Sequence, residues 1–309
     1  MDNEKSYKSV SGYPLEDLKH FHQEASNFFA SELMMLKEVI PKISDERQAK
    51  AALLLISCTQ TGAALLQLAN QPDTFTSESV MLSRAFMEKI TNFCYVSICE
   101  EKEYRAFILH PIYKYYHSIG ALKYDDLEFP RESGLNNGDF MDILNERKNE
   151  RKREQDNLKK SALVKEALEI FSETKPNLPW TRKPLNERIK RIEKWGKLMD
   201  VFFTLSKIEY YSDASESLHG SLYGCSYGVG GCDPDFEIEN EEEIDKKLFR
   251  DNACNLLSLG MLIHETLTLI SHSSNIKEIW NHSFKNRGMA LNLHSHIMEW
   301  KIPRKRTKS

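Results

Sequence analysis

The chain has 309 residues, of which 40% are hydrophobic and 28% charged, and its formal net charge is −4. That is enough apolar material for a large core, while so small a net charge gives no whole-chain pull toward nucleic acid or membrane. No apolar run comes near the roughly 20 residues of a bilayer span, and the start M-D-N-E-K-S-Y-K lacks the apolar core of a signal peptide, so the expectation is a cytoplasmic protein with no membrane partner.

Helical spacing of apolar residues dominates the chain, and strand patterns are weak. The first predicted helix covers Leu15 to Ile40, with Pro14 just before it. Asp45 to Asn70 follows and is apolar nearly all round, which predicts burial on every side. After Pro72-Asp73, Thr76 or Ser77 is the expected cap of a helix running to about Cys99. A further helix spans roughly Glu101 to Ile119, with Pro111 predicted to kink it.

Pro130, Gly134 and Gly138 mark a loop over Lys123 to Asp139. A charged, solvent-exposed helix is expected from about Phe140 to Thr174, then a Pro-rich loop to Pro184. Helices at about Leu185 to Met199 and Phe202 to Tyr227 precede an acidic loop. Asn240 and Glu243 suggest a capping box for a helix ending near His272, and a last helix covers about Ile276 to Glu299. The whole reads as one all-α domain over residues 1–309, a helical bundle with a loop-helix-loop insertion at 121–184 and a basic, mobile tail at 301–309.

Two polar stripes on mostly apolar helices are the best site signal. Tyr211, Ser215 and His219 step by four, which places two hydroxyls and an imidazole on one helical face. Arg84, Glu88 and Asn92 do the same on a helix otherwise rich in Met, Leu, Phe and Ile, so that stripe is expected to face inward. An arginine in such a setting presents a fork suited to phosphate or carboxylate, and Glu88 can hold it in position. His219 is suited to general acid–base work beside the hydroxyl of Ser215.

Other candidates are weaker. Gly220, Gly224 and Gly228 share a helical face that favours close packing, and the run matches no phosphate-loop fingerprint. His264 with His272, His294 with His296, and Cys225 with Cys232 all lack zinc-site spacing, so no metal or cofactor is expected. The six cysteines contain no C-x-x-C pair and read as free thiols. Arg105 with His110, and Arg287 with His294, place a histidine a short step after an arginine, a pairing that chance supplies readily in this chain.

On Arg84-x-x-x-Glu88 and Tyr211-x-x-x-Ser215-x-x-x-His219-Gly220-Ser221 the chain resembles a bacterial family of all-α proteins of unknown function. That family in turn resembles the HEPN superfamily of helical nucleases and nucleotide-binding proteins, several of which belong to toxin–antitoxin or phage-defence loci. The resemblance covers roughly Leu15 to His272. It implies a HEPN-like core and a site of Arg84, Glu88, Tyr211, Ser215 and His219. In that site His219, Arg84 and Glu88 are expected to be catalytic and Tyr211 and Ser215 to bind substrate, joined by Asn92 from the same stripe as Arg84. HEPN ribonucleases carry Arg and His close together on one helix, whereas here they come from different helices. The resulting expectation is a metal-independent endoribonuclease of a defence or toxin system, acting on RNA as a homodimer. The alternative is a non-catalytic sensor or adaptor that binds a nucleotide or a partner protein.

Overall fold

The computed structural model describes residues 13–120, 137–195 and 241–279, together with Phe203, Asn281, His282 and Asn286. Among these residues every regular element is helical: α1 Leu15–Val39, α2 Glu46–Ala69, α3 Pro72–Ile98, α4 Glu101–Gly120, α5 Asn137–Leu158, α6 Ala162–Ile170, α7 Leu185–Ile192 and α8 Glu241–Ser274. The all-α class is therefore that of the molecule. Two compact units are present, one of Met1–Ile98 with Leu185–Ser309 and one of Cys99–Pro184.

The first unit is built on α1, α2, α3 and α8, with α7 against α3. Side-chain pairs fix the directions. Phe249 meets His22, Gly260 lies against Phe28, and His264 bonds Glu32, so numbers rise together along α8 and α1. Asn255 bonds Ser83 and Cys94 contacts Thr266, so α3 and α8 are also codirectional. The short connections on either side of α2 leave it running the other way. Phe28, Phe29, Leu36, Leu55, Phe86, Ile90, Leu259 and Ile263 fill the interior.

Local chemistry explains the boundaries. Asp45 caps α2 by accepting from the Gln48 amide at 2.9 Å. Contrary to the sequence reading, α3 begins at Pro72 and not after Thr76 or Ser77. Proline needs no amide partner in a first turn, and its fixed φ already suits the helix. At the end of α8, Asn275 adopts φ 50°, and its amide closes on the Ser271 carbonyl at 2.9 Å. This is a left-handed stop of the kind asparagine tolerates.

Two further expectations need correction. First, α2 is not buried all round: Leu53 is 75% and Ile56 40% exposed, because α1 and α3 cover only one side of it. Second, two helices are long and apolar enough by length and composition to cross a bilayer, namely α2 and residues Glu242–Ser274 of α8. Ser, Thr, Gln and Gly interrupt their apolar runs without adding charge, which hid this in the sequence. In α8, 83% of the apolar window is buried inside the protein, as suits a core helix, against 28% in α2.

In the second unit α4 packs against α5 and α6. The single charged helix expected from Phe140 to Thr174 is two helices, broken at Lys159–Ser161. Three-residue closures tighten the end of α5, and Ser161 is extended at φ −66° and ψ 133°. That break turns the apolar face of α6, Val164 and Ala167, inward, and Ala167 joins Leu109 and Tyr113 of α4 in a small core. α4 continues through Pro111 as one helix.

Candidate functional site

Arg84, Glu88 and Asn92 follow one another up a flank of α3. Core residues Phe86, Met87, Ile90, Phe93 and Cys94 occupy the neighbouring face and anchor the helix. The stripe is half-buried and does not face inward as expected. The Arg84 side chain is 21% and the Glu88 side chain 41% exposed. Arg84 Nε donates to Glu88 Oε1 at 3.2 Å. One turn further, Asn92 Oδ1 accepts from Arg188 Nη1 on α7, which packs directly on α3. Two guanidinium groups thus lie along one face, each oriented by a side chain of α3.

Arg188 was not singled out in the sequence, where it sits in a basic run with nothing to mark it. The position of α7 against α3 gives it a role. A guanidinium is a planar fork of N–H donors matched to phosphate oxygens, and two on one face suit a phosphodiester. Tyr211, Ser215 and His219 lie outside the described residues, as do Gly220, Gly224 and Gly228 and the pair Arg287 and His294.

Arg105 and His110 both serve the second unit. Arg105 makes a two-pronged bond to Glu166, at 2.6 Å on each prong, joining α4 to α6. His110 Nε2 meets the Leu178 carbonyl at 2.9 Å, and burial lowers its pKa.

A cluster that the sequence reading missed lies between α1 and α8. Glu32 is fully buried, and its Oε1 accepts from His264 Nδ1 at 3.2 Å, His282 Nε2 at 3.1 Å and Asn286 Nδ2 at 2.9 Å. Burial pushes the Glu32 carboxyl up, but bonds from His264, His282 and Asn286 outweigh it and leave the group below its ordinary range. The signal was available: Glu32 falls at helical spacing from Phe28, Phe29 and Leu36, on the core face of α1. His264 is thereby engaged with a carboxylate, while His272 is exposed. Among the described residues no group of three or more His, Cys, Asp or Glu is arranged to hold a metal ion.

Cys58, Cys94, Cys99 and Cys254 are buried and in no disulfide, and burial pushes the Cys94 thiol up to about 12, so it is unreactive at neutral pH.

None of the curated proteins and none of the solved structures matches the chain. A family model does match residues 49–237, a span that includes both polar stripes and leaves out Glu32, His264 and His282. By that match the chain belongs to the family of unknown function DUF5677.

Proposed function

We propose that this protein is a metal-independent endoribonuclease with a HEPN-like core, acting in the cytoplasm as part of a phage-defence or toxin system. The observation that carries the reading is the pair of oriented guanidinium groups, Arg84 held by Glu88 and Arg188 held by Asn92, on one half-buried face. In this reading the RNA 2′-hydroxyl attacks the adjacent phosphorus and the 5′-oxygen of the next nucleotide leaves. His219 takes the first proton and returns one to the leaving oxygen. Arg84 and Arg188 stabilise the charge that builds on the phosphoryl oxygens. Tyr211 and Ser215 position the phosphate or the imidazole. Because the nucleophile belongs to the substrate, the step needs no metal.

The test is cleavage of labelled RNA by the purified chain. Activity is expected to persist in EDTA and to vanish in His219→Ala with the helical circular dichroism retained. Arg84→Ala is expected to lower the rate by roughly 10²- to 10³-fold, the effect of losing one oriented donor to the transition state. Dependence on an added divalent ion would refute the metal-independent mechanism. A folded His219→Ala variant with full cellular toxicity would remove the catalytic reading and leave a sensor or adaptor that uses the same arginines to bind a nucleotide or a partner protein.

A further inference from the structure

Away from the arginine face, five polar side chains share one level of the bundle core. They are His22 on α1, Ser79 and Ser83 on α3, and Asn252 and Asn255 on α8, each no more than 7% exposed. The helix register brings them together. Asn255 Nδ2 donates to Ser83 Oγ at 2.6 Å, and the two helices run the same way, so one turn earlier Asn252 stands level with Ser79. His22 is hydrogen-bonded to Asn252, and its ring meets Phe249 edge-on at 5.4 Å.

Four atoms of this layer have no hydrogen-bond partner among the described residues: His22 Nε2, Ser79 Oγ, Asn252 Nδ2 and Asn255 Oδ1. Native cores contain few such atoms, because each forfeits its bonds to water for nothing in return. Four on three facing helices is a concentration that calls for a common partner. The next layer is held apart by large rings, with Phe29 against Phe86 at 5.8 Å and Phe28 against the backbone at Gly260. At the polar level the buried residues include the small side chains of Ala25, Ser79 and Ser83 beside His22, Asn252 and Asn255. None of the five residues carries a fixed charge. Burial, only partly opposed by the bond to Asn252, holds His22 below its ordinary pKa and therefore neutral at pH 7.

We propose that this layer is a binding site for a small uncharged molecule with a planar amide edge, of the carboxamide or nucleobase class. Such an edge offers a carbonyl to Asn252 Nδ2 and an N–H to Asn255 Oδ1 or His22 Nε2, while Ser79 Oγ bonds to either. An anion is disfavoured, since no cation among the five meets it. The site is independent of the ribonuclease reading, which concerns a charged polymer on the flank of α3.

The full chain is titrated with uracil and with acetamide, followed by thermal denaturation and calorimetry, with acetate as the charged control. A saturable rise in Tm with at least one neutral probe, and none with acetate, is expected. Ser79→Ala is expected to weaken that probe about 3- to 10-fold, the worth of one hydrogen bond, and Asn252→Ala to weaken it at least as much. Because Ser79 Oγ has no partner to lose, Ser79→Ala should leave the Tm of the unliganded protein unchanged, which separates a ligand contact from a structural one. Should Asn252→Ala fail to fold, Ser79→Ala decides alone. No Tm response to either probe, an equal response in Ser79→Ala, an equal response to acetate, or a crystal structure in saturating uracil with only ordered water on these four atoms would each overturn the proposal.

Discussion

At the scale of single residues, the buried carboxylate of Glu32 has the clearest consequence for stability. Its folded-state pKa is lowered, so the unfolded chain takes up its proton first. Its contribution is complete above the unfolded value near 4.5 and is lost as pH falls from there through the folded value. His22 and His110 are likewise lowered, by burial, from an ordinary 6.5, and the same sign applies. Stability should therefore decline in two stages on acidification, the first beginning near pH 6.5 and the second below about pH 4.5. Thermal melts across this range should show Glu32→Gln flattening the second stage and sparing the first. An unchanged acid limb in that variant would mean that Glu32 is not ionised in the fold. Glu32→Ala removes the acceptor shared by His264, His282 and Asn286 and should cost about 3–5 kcal/mol, measured by urea unfolding. The residue was readable as core-facing from its spacing. Its partners were not, because His264 and His282 lie more than 230 positions away along the chain.

At the scale of elements, the helices themselves were legible because apolar periodicity repeats over many turns. Their ends and breaks were less so. The stop at Lys159–Ser161 carries no Gly or Pro and depends on Ala167 of α6 finding the small core of α4, a long-range contact. Likewise Arg84, Glu88 and Asn92 could be placed on one face, but the face itself, a flank shared with α7, depended on packing. Close approach between elements was also hidden. A Cβ on Gly260 would stand 2.6 Å from Cε1 of the buried Phe28 ring, and one on Gly62 would stand 2.7 Å from Cδ1 of Leu33. Gly260→Ala should destabilise by about 1–3 kcal/mol, since a rigid ring inside the bundle must move. Gly62→Ala should cost less, because a leucine end can rotate and alanine recovers up to about 1 kcal/mol of helix propensity. Urea titrations of the two variants give the ranking. The opposite order would show that α2 is held to α1 more rigidly than α8 is.

At the scale of the whole molecule, α2 of the first unit presents an exposed apolar face. Its sequence from Ala51 to Gln71 contains no charged residue, and Ala49, Leu53, Ile56, Gln60 and Ala63 fall on its exposed side at steps of three and four. Charged residues normally occupy such a face, and an uncharged one of this length suits a helix of like character. A second copy of the chain offers that helix, and an isologous pairing buries both faces at once. We therefore expect a homodimer with α2 against α2 of its partner. Light scattering at micromolar concentration should give twice the chain mass. Leu53→Glu combined with Ile56→Glu should give the single mass with unchanged circular dichroism, because both side chains are exposed. A dimer that persists in this variant would move the interface elsewhere. A wild-type chain that is monomeric throughout would remove the homodimer reading and would favour the sensor or adaptor over the nuclease.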